Sequence, residues 1–231
     1  MTKITKLCPT NSRGKVDLGW LKSQHTFSFG QYYNPEFMEF SHLRVINEDI
    51  VRGNTGFDLH PHKDMEIFTY ILQGTLTHGD NLGNRENINE GCYQLMSAGT
   101  GIIHSEYNYS DQPVHLLQIW IKPNSFGGKP EYKTFAPHPK GEWCLLVSDK
   151  IVGENIGKIK QQAEIYALDS LDLKSIKLPY DSRKNSWLHI AKGKIEFLGK
   201  EFASGDALGF ESDKIEEIKF KEPTILLLFA L

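Results

Sequence analysis

Short runs of β-branched and aromatic residues, cut at close intervals by Gly, Asn and Asp, set the pattern of this chain. Glu66 to Leu72 reads Glu-Ile-Phe-Thr-Tyr-Ile-Leu, and His115 to Ile121 reads His-Leu-Leu-Gln-Ile-Trp-Ile. The turns between such runs are of the kind Asp80-Asn81-Leu82-Gly83-Asn84 and Asn89-Glu90-Gly91. Strands this short, punctuated this often, predict an all-β barrel or sandwich. Helical periodicity is scarce, and Lys158 to Ile165 is the best candidate for a short helix. Pro123 to Gly141 is rich in proline and glycine; because proline cannot donate to a ladder, this stretch reads as a linker or strap.

The pattern repeats across the two halves. Phe68-Thr69-Tyr70-Ile71-Leu72-Gln73-Gly74 resembles Trp187-Leu188-His189-Ile190-Ala191-Lys192-Gly193, and Glu90-Gly91-Cys92-Tyr93 resembles Ser204-Gly205-Asp206-Ala207. Each copy is a strand ending in a glycine turn, with a further strand after it. The chain therefore reads as two duplicated β-barrels, the second one trimmed.

The sequence has 231 residues, enough for one large β domain or two of roughly 100–120 residues. Net charge is −3 and no basic block stands out, so the phosphate-neutralising surface of a direct nucleic-acid binder is missing. The longest apolar run, Ile225 to Leu231, is far short of a membrane span and reads as a final buried strand. The segment Met1 to Lys6 carries no apolar core of a secretory signal, and Cys8, Cys92 and Cys144 suggest no disulfide framework. A cytoplasmic setting is expected.

Chemistry concentrates in two clusters, His60-Pro61-His62 and His104-Ser105-Glu106. In a strand, i and i+2 share a face, so two neighbouring strands can aim three imidazoles and a carboxylate at one point. That donor set suits Fe, Mn, Ni, Cu or Zn. With no thiolate, it reads as an open site for an exogenous ligand rather than a structural knot. A divalent ion held by three neutral rings and one carboxylate carries a net positive charge that a monoanionic chelating substrate neutralises. Glu106 is the nearest group to accept that substrate's proton.

Other groups read as supporting. Glu66 and Asp64 are candidates for holding imidazole N–H groups, or are exposed acids at a strand entry. His78 is either directed into the same barrel or, as the safer reading, placed on the strand surface. His25, His42, His115 and His138 are structural by default, and Phe27 and Phe29 are core or a strap over the barrel. Counting back from the shared glycine, His60 and His62 correspond to Pro179 and Asp181, and His189 aligns with Tyr70. The second barrel is expected to be metal-free. Gly153 to Lys158 fails as a phosphate loop because its spacing is short and no Ser or Thr follows the lysine.

His60, His62, Glu66 and Gly74, followed by Gly101, His104 and Asn108, resemble the two motifs of the cupin superfamily. The proline usual before that glycine is absent, and Gly91 stands two residues upstream of its general place. His-Pro-His-Lys-Asp-Met-Glu, Asp-Asn-Leu-Gly-Asn, Met-Ser-Ala-Gly-Thr-Gly-Ile-Ile-His-Ser-Glu, Gln24 to Gly30 and Leu43 to Asn47 are similar to the pirin family. The resemblance is close in the N-terminal half and loose in the C-terminal half. It implies a bicupin: a metal-binding cupin domain at 1–122, a linker or strap at 123–141, and a degenerate metal-free cupin domain at 142–231. It further implies His60, His62, His104 and Glu106 as ligands of one divalent metal, most often Fe(II), with Mn, Ni, Cu, Co or Zn as alternatives, and Glu66 as a non-ligand. The activity implied is quercetin 2,3-dioxygenase chemistry on a flavonol-type aromatic with O₂. The alternative is a metal-bearing regulator that acts through a protein partner.

Overall fold

The computed structural model describes residues 2–151, 153–179 and 185–231. In chain order the strands are β1 (Lys3–Cys8), β2 (Gly14–Asp17), β3 (Leu21–His25), β4 (Leu43–Val51), β5 (Thr55–His62), β6 (Glu66–Gln73), β7 (Thr75–Asp80), β8 (Arg85–Asn89), β9 (Tyr93–Ser97), β10 (Ile102–Asn108) and β11 (Val114–Ile121). They continue with β12 (Glu131–Phe135), β13 (Cys144–Ser148), β14 (Gly157–Lys158), β15 (Glu164–Asp169), β16 (Ser175–Lys177), β17 (Asn185–Lys192), β18 (Lys194–Phe197), β19 (Lys200–Ala203), β20 (Ala207–Glu211), β21 (Glu217–Phe220) and β22 (Ile225–Ala230). A single 3-10 turn at Thr10–Ser12 is the only helical element among the described residues. Among the described residues no helix is long and apolar enough to cross a membrane.

The expected helix at Lys158 to Ile165 is not one. Gly157, Ile159, Gln161 and Ala163 are buried, while Lys158, Lys160 and Gln162 between them are partly or fully exposed. That is a period of two, and it belongs to extended chain. The stretch at 123–141 is not purely a strap either. Between Pro130 and Pro137 lies β12, which pairs with β9 from Glu131↔Ser97 to Phe135↔Tyr93. The prolines stop the ladder at both ends without interrupting it.

The chain forms two compact units. One comprises residues 14–137 with 159–161, and the other residues 1–13, 138–158 and 162–231. The N-terminal unit has a seven-stranded sheet, β12-β9-β6-β11-β4-β3-β2, and a four-stranded sheet, β5-β10-β7-β8. The C-terminal unit repeats this plan with β1-β20-β17-β22-β15-β13-β14 and β16-β21-β18-β19.

The sequence repeat is a structural one. Gly91 N–H donates to Ile71 O at 2.9 Å, and Gly205 N–H donates to Ile190 O at 2.8 Å. Tyr70 faces Tyr93 across β6 and β9, as His189 faces Ala207 across β17 and β20. Gly74 and Gly193 both have positive φ, 84° and 93°, a conformation that favours glycine at a turn.

What differs is the inner face of the small sheets. In the C-terminal unit Ile195, Phe197, Ile218 and Phe220 on β18 and β21 join a buried apolar cluster with Leu188, Phe210 and Leu226. In the N-terminal unit the matching strands β7 and β10 bury His78, His104 and Glu106. The cavity beside Tyr166, Ser186 and Phe210 in the C-terminal unit has a volume of only about 30 Å³, room for little more than water. Asp181, one of the positions matched to a ligand histidine, lies outside the described residues; Pro179 is described and carries no ligand atom.

Candidate metal centre

Register brings the two clusters together. β5 and β10 run antiparallel with His60 directly opposite His104 and His62 opposite Ile102. Opposed residues point to the same face of a sheet, so all three rings face inward. Ring centroids lie 4.4 Å apart for His60 and His104, 4.8 Å for His60 and His62, and 4.9 Å for His62 and His104. One ring nitrogen from each can be chosen so that all three lie within 4.8 Å of one another.

A bulge follows directly on this stretch and brings Phe57 to the same face. The pairing goes from His104↔His60 to Glu106↔Phe57, so Asp58 and Leu59 stand against the single residue Ser105. Without the extra residue Phe57 and His60 would fall on opposite faces; with it both turn inward while Asp58 and Leu59 are exposed. The bulge also supplies a contact, because His60 Nδ1 lies 2.7 Å from Asp58 O. A carbonyl only accepts, so Nδ1 carries the proton and Nε2 keeps its lone pair.

His104 is fully buried, and its Nε2 has no hydrogen-bond partner among the described residues. An unpaired buried nitrogen is costly unless a ligand such as a metal completes it. Burial, reinforced by the nearby rings of His60, His62 and His78, pushes its pKa down to about 2. Burial, with the charge of His60, takes His62 down to about 4. Rings that stay neutral are what a divalent ion requires.

Glu106 lies one inward position along from His104, opposite His78 on β7. It forms a buried group with His104 and His78, ligand atoms within 4.8 Å, rather than with His60 and His62. Its carboxylate bridges to the facing sheet: Gln94 Nε2 donates to Oε1 at 2.6 Å and Gln118 Nε2 donates to Oε2 at 2.9 Å. Burial raises its pKa to about 7, with the charge of Asp49 adding to the rise and the two amide donors opposing it. Gln94 also donates to Thr69 Oγ1 at 3.0 Å and accepts from Tyr132 Oη at 2.9 Å. Gln94, Thr69, Gln118, Asn47 and His25 are successive partners across β9, β6, β11, β4 and β3. They form one polar rung across the sheet, and in β6 and β11 its sequence signal is a polar residue, Thr69 or Gln118, centred in an apolar run.

His78 corrects the expectation of a surface position, since it is fully buried. Its Nε2 lies 2.9 Å from Asp80 Oδ2 and its Nδ1 lies 3.3 Å from His104 Nδ1. Tyr132 stacks on the ring at 3.9 Å and 11°. Although burial works to raise Asp80, hydrogen bonds from Asn84, His78 and Leu82 hold its pKa below the usual carboxylate value.

Glu66 and Asp64 are engaged elsewhere. Glu66 Oε2 accepts from Ser97 Oγ at 2.7 Å and from Lys160 N–H at 3.2 Å. Asp64 Oδ1 accepts from Gly127 N–H at 2.6 Å. Asn108 ties a turn, donating to Val51 O and Gln112 O and accepting from Ser110. His115 pairs with Glu48 at 2.9 Å, and His42 is exposed. Phe27 is core, whereas Phe29 meets Trp120 edge-on at 5.3 Å.

His60 and His62 open onto a cavity of about 1020 Å³, whose walls also include Trp20, Phe29, Phe57 and Trp120. His25 lies on the same wall, which its reading as a plain structural residue missed. This is room for an aromatic ligand of several rings, between aromatic side chains and polar groups that include Asn47, Asp49, Arg52 and Gln118.

A family model described as Pirin matches residues 7–121, and one described as quercetinase C-terminal cupin domain matches residues 145–231. A protein of Escherichia coli (strain K12) described as quercetin 2,3-dioxygenase is 40% identical over 96% of either chain. The chain belongs to the pirin family. A pirin-like protein of Caulobacter vibrioides is 37% identical over 95% of this pirin and 96% of its own length. The crystal structure of the bacterial pirin YhhW from Escherichia coli, in complex with nickel(II), superposes with a TM-score of 0.91 at 39% identity, covering 100% of this pirin and 99% of that chain. The two-unit plan is therefore the bicupin fold of the pirins.

Proposed function

We propose that this pirin is a metal-dependent dioxygenase that opens a flavonol-type aromatic with O₂, as quercetin 2,3-dioxygenase does. The observation that carries the reading is the convergence of three inward imidazoles on an aromatic-walled cavity. His60, His62 and His104 would hold the ion, with Glu106 as the fourth, carboxylate ligand. Fe(II) is the metal we propose, and Mn, Ni, Cu, Co or Zn suit the same donors. When bound, the metal supplies a Lewis acid that lowers the pKa of the substrate hydroxyl.

The chain's own residues do the rest. Trp20, Phe57, Phe29 and Trp120 sandwich the substrate rings and keep water from the reacting face. Glu106 takes the hydroxyl proton, held in place by the amides of Gln94 and Gln118. The anionic flavonol then reacts with O₂, and ring opening releases carbon monoxide.

The test is aerobic incubation of the metal-loaded protein with quercetin. Loss of flavonol absorbance with release of carbon monoxide supports the reading. No turnover with any first-row metal would overturn it and leave the regulatory role as the better account.

A further inference from the structure

We infer that Asp80 and His78 are positioning residues that fix the tautomer of His104 and thereby set how tightly the centre holds its ion. The inference rests on the proposed role of His104 as a ligand. An ionised Asp80 can only accept, so the 2.9 Å contact puts a proton on His78 Nε2. A neutral His78 then has only a lone pair at Nδ1. The 3.3 Å contact between the two Nδ1 atoms is a hydrogen bond only if His104 donates it. His104 Nε2 is thereby left bare, and this is the buried atom with no partner among the described residues.

The line is built to stay in register. Asp80 is opposite His104 and Glu106 opposite His78 across β7 and β10, so all four share one face. Asp80 is clamped by Asn84 Nδ2 at 2.8 Å and by the Leu82 and Asn84 N–H groups at 2.9 and 3.1 Å. Tyr132 covers the ring of His78 and stops it turning. His60 reaches the same result by a shorter route, through Asp58 O. Two ligands on adjacent strands thus present Nε2, each because its Nδ1 proton is already committed. Hydrogen bonds of this kind orient a metal-bound imidazole and raise its basicity.

Three variants separate the possibilities. His78→Phe keeps the ring volume and the stacking on Tyr132 but removes the acceptor. His78→Asn places an amide oxygen near the former Nδ1 and restores one. His62→Ala removes a proposed ligand. Nickel(II) affinity is read by competition with a chromophoric chelator, and the melting temperature of each metal-free protein is recorded beside it. Long-range ¹H–¹⁵N spectra of the metal-free wild type report the His104 tautomer directly.

The expected result is a loss of roughly 10- to 100-fold in affinity for His78→Phe. His78→Asn should recover most of it, and wild-type His104 should be in the Nδ1–H form. Wild-type affinity in His78→Phe, or an Nε2–H tautomer of His104 in the wild type, overturns the inference while the ligand assignment stands. Wild-type affinity in His62→Ala, or no nickel uptake by the wild type, overturns the ligand assignment and this inference with it. Should His78→Phe fail to fold, the wild-type tautomer alone decides.

Discussion

The proposed centre can be probed one side chain at a time. His62→Ala should abolish metal uptake while leaving the fold intact, since the ring is half-buried and meets Trp120 only edge-on at 4.9 Å; elemental analysis and circular dichroism check the two halves. Glu106→Gln is a sharper probe of the carboxylate. It keeps the volume but turns an amide N–H₂ toward the amide donor of Gln94 or Gln118. We expect a stability loss of about 1–3 kcal/mol from the unmade bond. We also expect a fall of about 10²–10⁴ in flavonol turnover, read against an unchanged cavity in a crystal structure. Of the residues involved, the three histidines were legible because i, i+2 spacing needs no knowledge of the neighbours. That Glu106 shares a face with His104 was legible, but its bond to the facing sheet was not, because Gln94 and Gln118 come from other strands. His78 was misplaced for a related reason. Alternation tells which residues share a face, and only pairing with β10 tells that this face is inside.

Strand pairing carries the next level of control. Gly56 stands where β5 crosses Tyr107 of β10, and a Cβ there would meet Glu106 O at 2.3 Å and Tyr107 Cα at 2.6 Å. Both are backbone atoms, so Gly56→Ala must push the strands apart. The expected cost is about 1–3 kcal/mol, as for other overpacked sites, together with weaker metal binding because His60 rides on the same strand. Thermal unfolding and a metal titration read the two effects. Turns and strands are readable from composition, and the doubled Gly turn marks the repeat in the sequence itself. The bulge at Asp58 and Leu59 was not readable, since nothing in Phe-Asp-Leu-His marks which residue lacks a partner. The supposed helix at 158–165 failed because so short a window does not separate a period of 3.6 from a period of two.

The whole chain repeats one architecture, and among the described residues the two copies differ on the inner face of the small sheet. Ile195, Phe197, Ile218 and Phe220 fill the C-terminal small sheet where the N-terminal one carries imidazole and carboxylate. Metal analysis should therefore find a single ion per chain, all of it lost in His62→Ala. Leu226→Ala, which opens a hole in the C-terminal core, should cost about 2–5 kcal/mol in unfolding free energy. In the native state that variant should leave the metal content unchanged. The lack of a second histidine pair was legible in the sequence, but the apolar side chains on β18 and β21 opposite that difference were not. That required knowing which strands of the two halves correspond.

β5 is the outermost strand of its sheet, and it can hold Pro61 between His60 and His62 because that edge asks for fewer donors. One consequence concerns traffic. Two of the three rings sit at the rim and the third waits deep inside, so an ion can enter or leave without the sheets parting. A strong chelator should strip the protein with no change in its far-ultraviolet spectrum, and fresh metal should restore it without refolding.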